Sequence, residues 1–333
     1  MNRKIRYILG GMVLALVCGT FICGISEIKN PDRDYRELFH KHYRIFTPEV
    51  PERAEFAGEK APLELVYVRE SFEREIFANT YMHSATILMF KRANRWFPLI
   101  EPILKKNNIP DDFKFLAIAE SNFANVVSPS GAEGFWQFIK PTGQKYGLEI
   151  TEEIDERYNV EKATEAACKY FQEAYSRFNN WTLVAASYNR GLDGLSRALE
   201  NQKVNSYYDL SLVDETARYV YRIMAIKEVY NHPTRFGYYL RDMDFYPPIP
   251  TFKVNVDSNI SDLADFAFKQ KVNYRILREF NPWIRRYNLP NKSGKTYIFI
   301  LPKEGYLKYD NLIRKMPQSV TFFHDTLKIN QIQ

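Results

Sequence analysis

Residues 113–121 read FKFLAIAES, an apolar stretch with helix-forming residues that ends in the pair Glu120-Ser121. Pro110-Asp111-Asp112 precedes it, and its acidic residues suit the first turn of a helix. A carboxylate beside the apolar residues of this helix loses hydration, so we expect the pKa of Glu120 to be raised. A carboxyl group that keeps its proton near neutral pH can act as a general acid. The simpler alternative is that Glu120 only ends a helix on a solvated surface.

The next notable segment, residues 131–138, reads GAEGFWQF. Its two glycines, Gly131 and Gly134, would let the backbone approach a ligand closely. Trp136 offers a flat apolar face, and Gln137 offers both a hydrogen-bond donor and an acceptor. The simpler alternative is a turn followed by an aromatic residue of the core.

A third segment, residues 186–191, reads ASYNRG. The pattern predicts that Tyr188 and Asn189 lie at the end of a helix closed by Gly191, where side chains can face a cleft. A phenol beside a carboxyl group can tune its protonation and orient it. Routine capping of the helix end is the alternative.

In this order and spacing, the three segments resemble the family-1 lytic transglycosylases, whose catalytic domain is similar to goose-type lysozyme. Residues 155–171, DERYNVEKATEAACKYF, also look like the start of a helix in that family. The resemblance covers about residues 85–235, and the most similar subgroup is that of the membrane-bound lytic murein transglycosylases D. Phe135-Trp136 departs from the aliphatic pair that many members have before the glutamine, which leaves the shape of a sugar subsite open.

The resemblance implies cleavage of the bond between N-acetylmuramic acid and N-acetylglucosamine in peptidoglycan, with 1,6-anhydro ends as the product. Glu120 would be the catalytic acid and then the base, without a metal or a cofactor. The implied substrate-binding residues are Ser121, Gly134, Trp136, Gln137, Tyr188 and Asn189.

Two other functions remain open at this point. A hydrolytic muramidase would need a second carboxylate, for which Glu133, Glu152 and Asp155 are the candidates. A peptidoglycan-binding protein without catalysis is the other alternative, although the presence of Glu120 argues against it.

Hydrophobic periodicity predicts a mainly α protein. It indicates a helical domain at 80–240, preceded by a linker or helical extension at 30–79. The resemblance implies that the domain at 80–240 is lysozyme-like and catalytic. The prolines of 247–250 mark a boundary. The sequence pattern of residues 250–303 predicts a small βααβ module. This module resembles LysM, which implies either glycan binding or a structural cap on the catalytic domain. Residues 304–333 form the predicted tail.

The N-terminus carries Arg3, Lys4 and Arg6 before an uncharged apolar run at 7–25. This pattern predicts that residues 1–29 are either a cleaved signal peptide or an uncleaved membrane anchor. The remaining chain would then lie in the periplasm or cell envelope, held at the inner membrane if the segment is not cleaved. Outside this run Cys168 is the only cysteine, so the exported part does not rely on an intramolecular disulfide.

Positive charge is concentrated in residues 233–333, where 16 Lys or Arg face 9 Asp or Glu, whereas the whole chain carries +6. This excess favours an anionic polymer as partner, such as peptidoglycan with its peptide carboxylates. Nucleic acid is also an anionic polymer, but the predicted export signal argues against nucleic acid as the partner. The five histidines form no metal-binding pattern, and no G-x-S-x-G motif indicates a serine hydrolase.

Overall fold

The structure is a computed structural model that describes residues 45–291 and 294–313, together with residues 36, 37 and 41. The chain divides after Thr47, and the elements named here belong to the part from Pro48 onward. The first lobe has a short hairpin, β1 (Glu55–Phe56) and β2 (Glu59–Lys60), followed by helices. Its helices are α1 (Val66–Tyr81), α2 (His83–Lys106), α3 (Lys114–Ser121), α4 (Lys140–Lys145), α5 (Val160–Phe178), α6 (Trp181–Arg190), α7 (Leu192–Gln202) and α8 (Asp214–Asn231).

Local sequence explains where several of these helices begin and end. Asn159 and Asn180 precede α5 and α6, and their side chains accept hydrogen bonds from backbone amides of the first turns. Asn179 ends α5 in a left-handed conformation, which asparagine tolerates better than most residues. Apolar residues at helical spacing predict a helix over 160–178, which agrees with the bounds of α5 in the structure.

The core of the first lobe is formed mainly by aromatic and aliphatic side chains of the long helices. Helix α8 packs against α1, α3 and α6, so it lies at the centre of the lobe. Fully buried rings such as Phe72 on α1, Phe90 on α2 and Phe171 on α5 fill the space between the helices. The predicted mainly α fold is therefore confirmed.

The second lobe is a small module with two strands and two helices. Strands β3 (Thr251–Val256) and β4 (Tyr297–Pro302) pair antiparallel, with Thr251 opposite Pro302 and Val256 opposite Tyr297. Between them come α9 (Leu263–Lys269) and α10 (Tyr274–Phe280), and α11 (Tyr309–Ile313) follows. This is the predicted βααβ order.

The hydrophobic core of the module contains two residues of the first lobe, Ile154 and Tyr158. Ile154 forms an isolated β-bridge with Ile284, and the guanidinium of Arg285 lies 4.5 Å from the ring centre of Tyr158. The amide of Asp155 also donates to the carbonyl of Trp283 at 2.8 Å. The two lobes therefore share apolar side chains and backbone hydrogen bonds.

The N-terminal part differs in detail from the simple periodicity pattern. The apolar spacing predicts a helix from about Thr80, but the structure has α1 before it and a break at Met82. The predicted signal peptide or anchor, residues 1–29, lies outside the described residues. Within the described part of the chain, no helix has the length and apolar character needed to span a bilayer.

Candidate active site around Glu120

Glu120 lies on the last turn of α3, at a point where the chain turns sharply. The next residues, Asn122 and Phe123, have φ angles of +49° and +52° and so end the helix. The side chain of Asn122 donates to the carbonyl of Ala85 at 2.9 Å, and its own carbonyl accepts from Arg92 Nη1 at 2.9 Å. These bonds to α2 fix the end of α3, and with it the position of Glu120.

The carboxyl group of Glu120 is partly buried against α8. The hydroxyl of Tyr219, a residue only 2% exposed, donates a hydrogen bond to Glu120 Oε1. Burial raises the pKa of Glu120 from 4.5 to about 7, although the Tyr219 hydrogen bond and the charge of Arg222 lower it; Glu215 raises it further. The expectation of a raised pKa is therefore confirmed.

A carboxyl group with a pKa near 7 can serve as either acid or base at neutral pH. About half of the molecules carry the proton at pH 7, so Glu120 can donate it and later recover one. The interpretation that Glu120 merely ends a helix on a solvated surface does not agree with this burial.

The glycine-rich loop packs tightly against the segment before α5. Gly134 has φ +78°, and a Cβ atom built there would lie 2.0 Å from the carbonyl oxygen of Arg157. Gly131 has a similar φ of +76° but open space around it. Glycine at 134 is thus required by a close approach to another part of the backbone, whereas the sequence predicts a close approach to a ligand.

Gln137 lies partly exposed on this loop in a left-handed conformation, with φ +50°. Its side-chain nitrogen donates to the carbonyls of Gly134, at 2.8 Å, and Val126, at 3.1 Å. These bonds hold the amide group in one orientation. Its oxygen is an acceptor that has no hydrogen bond with any of the described residues.

A buried guanidinium fixes the ends of the same loop. Arg157 is 5% exposed, and its Nη1 donates to the carbonyls of Gly131 and Phe138 at 3.0 and 3.1 Å. Its Nη2 forms ion pairs with Asp155 at 2.6 Å and Glu133 at 2.9 Å. Two carboxylates considered as a second catalytic group are therefore partners of this arginine.

Ser121 and Trp136 have structural contacts in place of the predicted contact with substrate. Ser121 is 9% exposed, and its hydroxyl donates to the carbonyl of Phe135 at 2.9 Å, which ties the end of α3 to the loop. Trp136 is fully buried, and its Nε1 donates to Thr164 Oγ1 at 2.9 Å. Neither side chain can reach a sugar in this arrangement, because both are enclosed by protein.

Tyr188 and Asn189 lie at the end of α6, as the sequence predicts. The phenol of Tyr188 donates to the carbonyl of Trp136 at 2.6 Å, so it binds the glycine-rich loop. Burial, followed by the nearby charge of Glu120, raises the pKa of Tyr188 well above its usual value. Asn189 Oδ1 accepts from Thr216 Oγ1 at 2.7 Å, which connects α6 to α8.

The hairpin residue Glu59 anchors the other end of α6. Its carboxylate accepts from the amides of Trp181 and Thr182 at 2.7 and 2.8 Å, and from the hydroxyl of Thr182 at 2.7 Å. A negative charge at the amino end of a helix is stabilised by the helix dipole. The position of Tyr188 therefore depends on both ends of α6.

Comparison with known protein families agrees with this geometry. Residues 98–210, which contain Glu120, the glycine-rich loop and Tyr188, match the transglycosylase SLT domain. This chain contains an SLT domain. Residues 252–305 match the C-terminal LysM-like domain of soluble lytic transglycosylases. The resemblance found in the sequence motifs is thus confirmed for both parts.

Two curated relatives are the membrane-bound lytic murein transglycosylases D of Escherichia coli K12 and E. coli O6:H1. Each is 28% identical over 244 residues, which is 72% of this chain and 52% of the relative. The chain therefore spans about half the length of the curated relatives that it matches. Similar solved structures are the 70 kDa soluble lytic transglycosylase of E. coli and an inactive mutant of the lytic transglycosylase Slt of Pseudomonas aeruginosa. Their TM-scores are 0.39 and 0.36, with 20% and 18% identity over 50% and 52% of this chain and 29% and 34% of theirs.

Tyr219 is a partner of Glu120 that the motifs do not reveal. It lies outside the matched range of the SLT domain, on α8, and its hydroxyl is the direct partner of Glu120. Apolar spacing predicts a helix over 214–230, but periodicity cannot distinguish a buried tyrosine that binds a carboxyl group from one that only packs. The sequence feature that could have revealed Tyr219 is its hydroxyl group, since a buried tyrosine hydroxyl needs a hydrogen-bond partner.

Within residues 45–291 and 294–313, no group of three or more His, Cys, Asp or Glu side chains could hold a metal ion. The single cysteine of this part, Cys168, is buried on α5, and burial raises the pKa of its thiol to about 12. A thiol with so high a pKa is a poor nucleophile at neutral pH.

Proposed function

We propose that this chain is a peptidoglycan lytic transglycosylase, with Glu120 as its acid and base. The observation that carries the proposal is the partly buried carboxyl group of Glu120, which has a pKa of about 7 and accepts a hydrogen bond from Tyr219. The match to the transglycosylase SLT domain and the names of the curated relatives support the reaction and the substrate.

In the first step, protonated Glu120 donates its proton to the oxygen between N-acetylmuramic acid and N-acetylglucosamine. The C1–O bond breaks, and the acetamido group of the muramic acid stabilises the developing positive charge. In the second step, ionised Glu120 takes the proton of the C6 hydroxyl, whose oxygen bonds to C1. The product is a 1,6-anhydro end, and one side chain suffices because its pKa lies near the working pH.

Among the predicted substrate-binding residues, Gln137, Tyr188 and Asn189 are partly exposed. The hydroxyl of Tyr188 already donates to the carbonyl of Trp136, whereas the amide groups of Gln137 and Asn189 suit hydrogen bonds with sugar amides and hydroxyls. Gly134, Ser121, Trp136 and Tyr188 act in this proposal by holding the glycine-rich loop against α3, α5 and α6. Tyr219 orients the carboxyl group of Glu120.

A hydrolytic muramidase is the second candidate. It needs a carboxylate that activates water opposite the acid. Glu133 and Asp155 pair with Arg157, and Glu152 is exposed and pairs with Arg286, so none of these three suits the role. Glu215 is the exposed carboxylate whose charge acts on Glu120, and it is the remaining candidate.

Purified peptidoglycan digested with residues 30–333 distinguishes these functions. We expect muropeptides with 1,6-anhydro ends by mass spectrometry, and no release above background from the Glu120→Gln variant with an unchanged circular dichroism spectrum. Reducing muramic acid ends would identify a muramidase. Substantial release by the variant would refute the role of Glu120, and no release by either protein would favour a binding protein without catalysis.

We also propose that the LysM-like module contacts glycan strands and that the chain acts at the cell envelope. The match at 252–305, the positive charge of residues 233–333 and the word "membrane-bound" in the names of the curated relatives support this. Fractionation of cells with antibodies against the chain tests the location. Recovery in the inner membrane after a salt wash is expected for an uncleaved anchor, whereas recovery in the periplasm is expected after cleavage.

A further inference from the structure

Glu75 on α1 is a buried carboxylate surrounded by three arginines. Its side chain is 1% exposed, and its Oε1 accepts from Arg218 Nε at 2.6 Å. Arg222 Nε lies 3.5 Å from Oε2, and Arg74 Nε lies 3.7 Å from Oε1. Burial of a charge at this depth is tolerated only with such partners, because the carboxylate has lost its water.

Arg222 forms an ion pair with this carboxylate, and its charge also acts on the carboxyl group of Glu120. It follows Tyr219 by three residues on α8, so the two side chains point to similar sides of the helix. Helix α8 packs against α1, which carries Glu75, and against α3, which carries Glu120. Among the described residues, Arg222 forms an ion pair with Glu75 and none with Glu120.

Among the described residues, the other two arginines have a second acidic partner and Arg222 has none. Arg74 and Arg218 both form ion pairs with Asp214, at 3.1 and 3.6 Å. In the described part of the chain, Glu75 is the one carboxylate that pairs with Arg222. Loss of the Glu75 charge would therefore free Arg222 more than the other two.

Resting on the proposed function, we propose that Glu75 is a positioning residue that holds Arg222 back from Glu120 and so keeps Glu120 able to carry its proton. A guanidinium released from Glu75 could pair with Glu120, on which its charge already acts, since it offers several donors in a planar fork. An ion pair between Arg222 and Glu120 would stabilise the ionised form, which cannot protonate a leaving group. The reaction would then lack its acid.

The other polar groups around Glu120 are already bound. Tyr219 donates to Glu120, Tyr188 donates to the backbone of the glycine-rich loop, and Arg92 on α2 donates to the carbonyl of Asn122. Glu215 is exposed and accepts from Asn189. Arg222 is thus the charged group near Glu120 whose position depends on a distant partner.

The experiment titrates the Glu120 carboxyl carbon by 13C NMR in the full chain and measures the pH dependence of kcat on soluble peptidoglycan fragments. In Glu75→Gln, we expect the titration midpoint of Glu120 and the alkaline limb of kcat to fall by about one pH unit. The protonated fraction at pH 7 then drops from about a half to about a tenth, so kcat falls about fivefold while KM is unchanged. In Arg222→Gln, the titration midpoint of Glu120 and the alkaline limb of kcat should both move to higher pH. The double variant with Glu75→Gln and Arg222→Gln should resemble Arg222→Gln alone.

Glu156→Gln is the matched control. Glu156 is equally buried and pairs with Lys162 away from Glu120, so its loss should lower thermal stability without moving the midpoint. If Glu75→Gln does not fold, Glu75→Asp retains the charge but shortens the reach to Arg222, and a smaller shift to lower pH is expected. An unchanged or raised midpoint in the folded Glu75 variant would overturn the proposal. The NMR titration requires no turnover, so it gives its answer even if the chain proves not to cleave glycans.

Discussion

Replacement of Glu120 by glutamine should change the stability of the protein in a way that depends on pH. Glutamine keeps the size of the side chain but cannot ionise. The folded-state pKa of Glu120 is about 7, and the usual value is 4.5. A group whose pKa is raised on folding stabilises the fold below its unfolded pKa, and this contribution is lost as the pH rises through the folded pKa.

The size of the effect follows from the pKa difference. Since one pKa unit corresponds to about 1.4 kcal/mol, the wild type should lose about 3 kcal/mol of unfolding free energy between pH 4 and pH 8 through this group. Glu120→Gln lacks the loss, so its stability relative to wild type should rise by about that amount over the same interval. At this chain length the difference corresponds to about 4 °C in Tm.

Thermal and urea denaturation of both proteins at pH 4, 6 and 8 measures this difference. The stability of the variant relative to wild type should change mainly between pH 5 and pH 7.5. A relative stability that does not vary with pH would mean that the Glu120 carboxyl is solvated in the folded protein, and the reasoning that makes it a general acid would be wrong. The measurement needs no substrate, so it stands apart from any assay of cleavage.

Two further substitutions test the surroundings of Glu120. Gly134→Ala should lower the unfolding free energy by about 3 kcal/mol or more in urea denaturation, because the new Cβ would meet a backbone oxygen at 2.0 Å. Gly131→Ala, with a similar φ and open space, should cost about 1 kcal/mol, and equal losses would contradict the close approach. Tyr219→Phe removes a hydrogen bond that favours the ionised form of Glu120, so the alkaline limb of kcat should rise by about one pH unit. The control is Tyr238→Phe, which loses a buried hydrogen bond from a phenol to the carbonyl of Thr80 and should leave the alkaline limb of kcat unchanged. A shift of the limb to lower pH in Tyr219→Phe would refute the role of Tyr219 as the partner of Glu120.

The sequence predicts the architecture well where the periodic patterns are long. Helix α5 has the predicted bounds, and the βααβ order of the module is as expected from its alternation and capping residues. The pattern was weaker before residue 80, because α1 carries many charged residues and has no capping side chain at its start. The contact of the module with Ile154 and Tyr158 could not be predicted from the sequence. An apolar residue gives the same sequence pattern whether it is buried by its own lobe or by the other one.

The motifs identify which residues lie near each other, but they do not say what each side chain does. Burial of the carboxyl group of Glu120 followed from the apolar residues around it in the chain. Ser121 and Trp136 stand inside the motifs, yet their polar atoms bind Phe135 and Thr164. Side-chain direction depends on the left-handed turn after α3 and on α5, and neither is visible in a short motif.

Ile154 and Tyr158 belong to the sequence of one lobe and to the core of the other, so the boundary in the chain is not a boundary in the packing. A protein whose parts are joined by a loose tether can lose one part and keep the other intact. Removal of the module would expose Ile154 and Tyr158 to water. Both residues lie in the segment that contains Arg157, whose guanidinium donates to the carbonyl of Gly131 in the glycine-rich loop. Shortening this protein at its C-terminus would therefore disturb the segment that supports the glycine-rich loop.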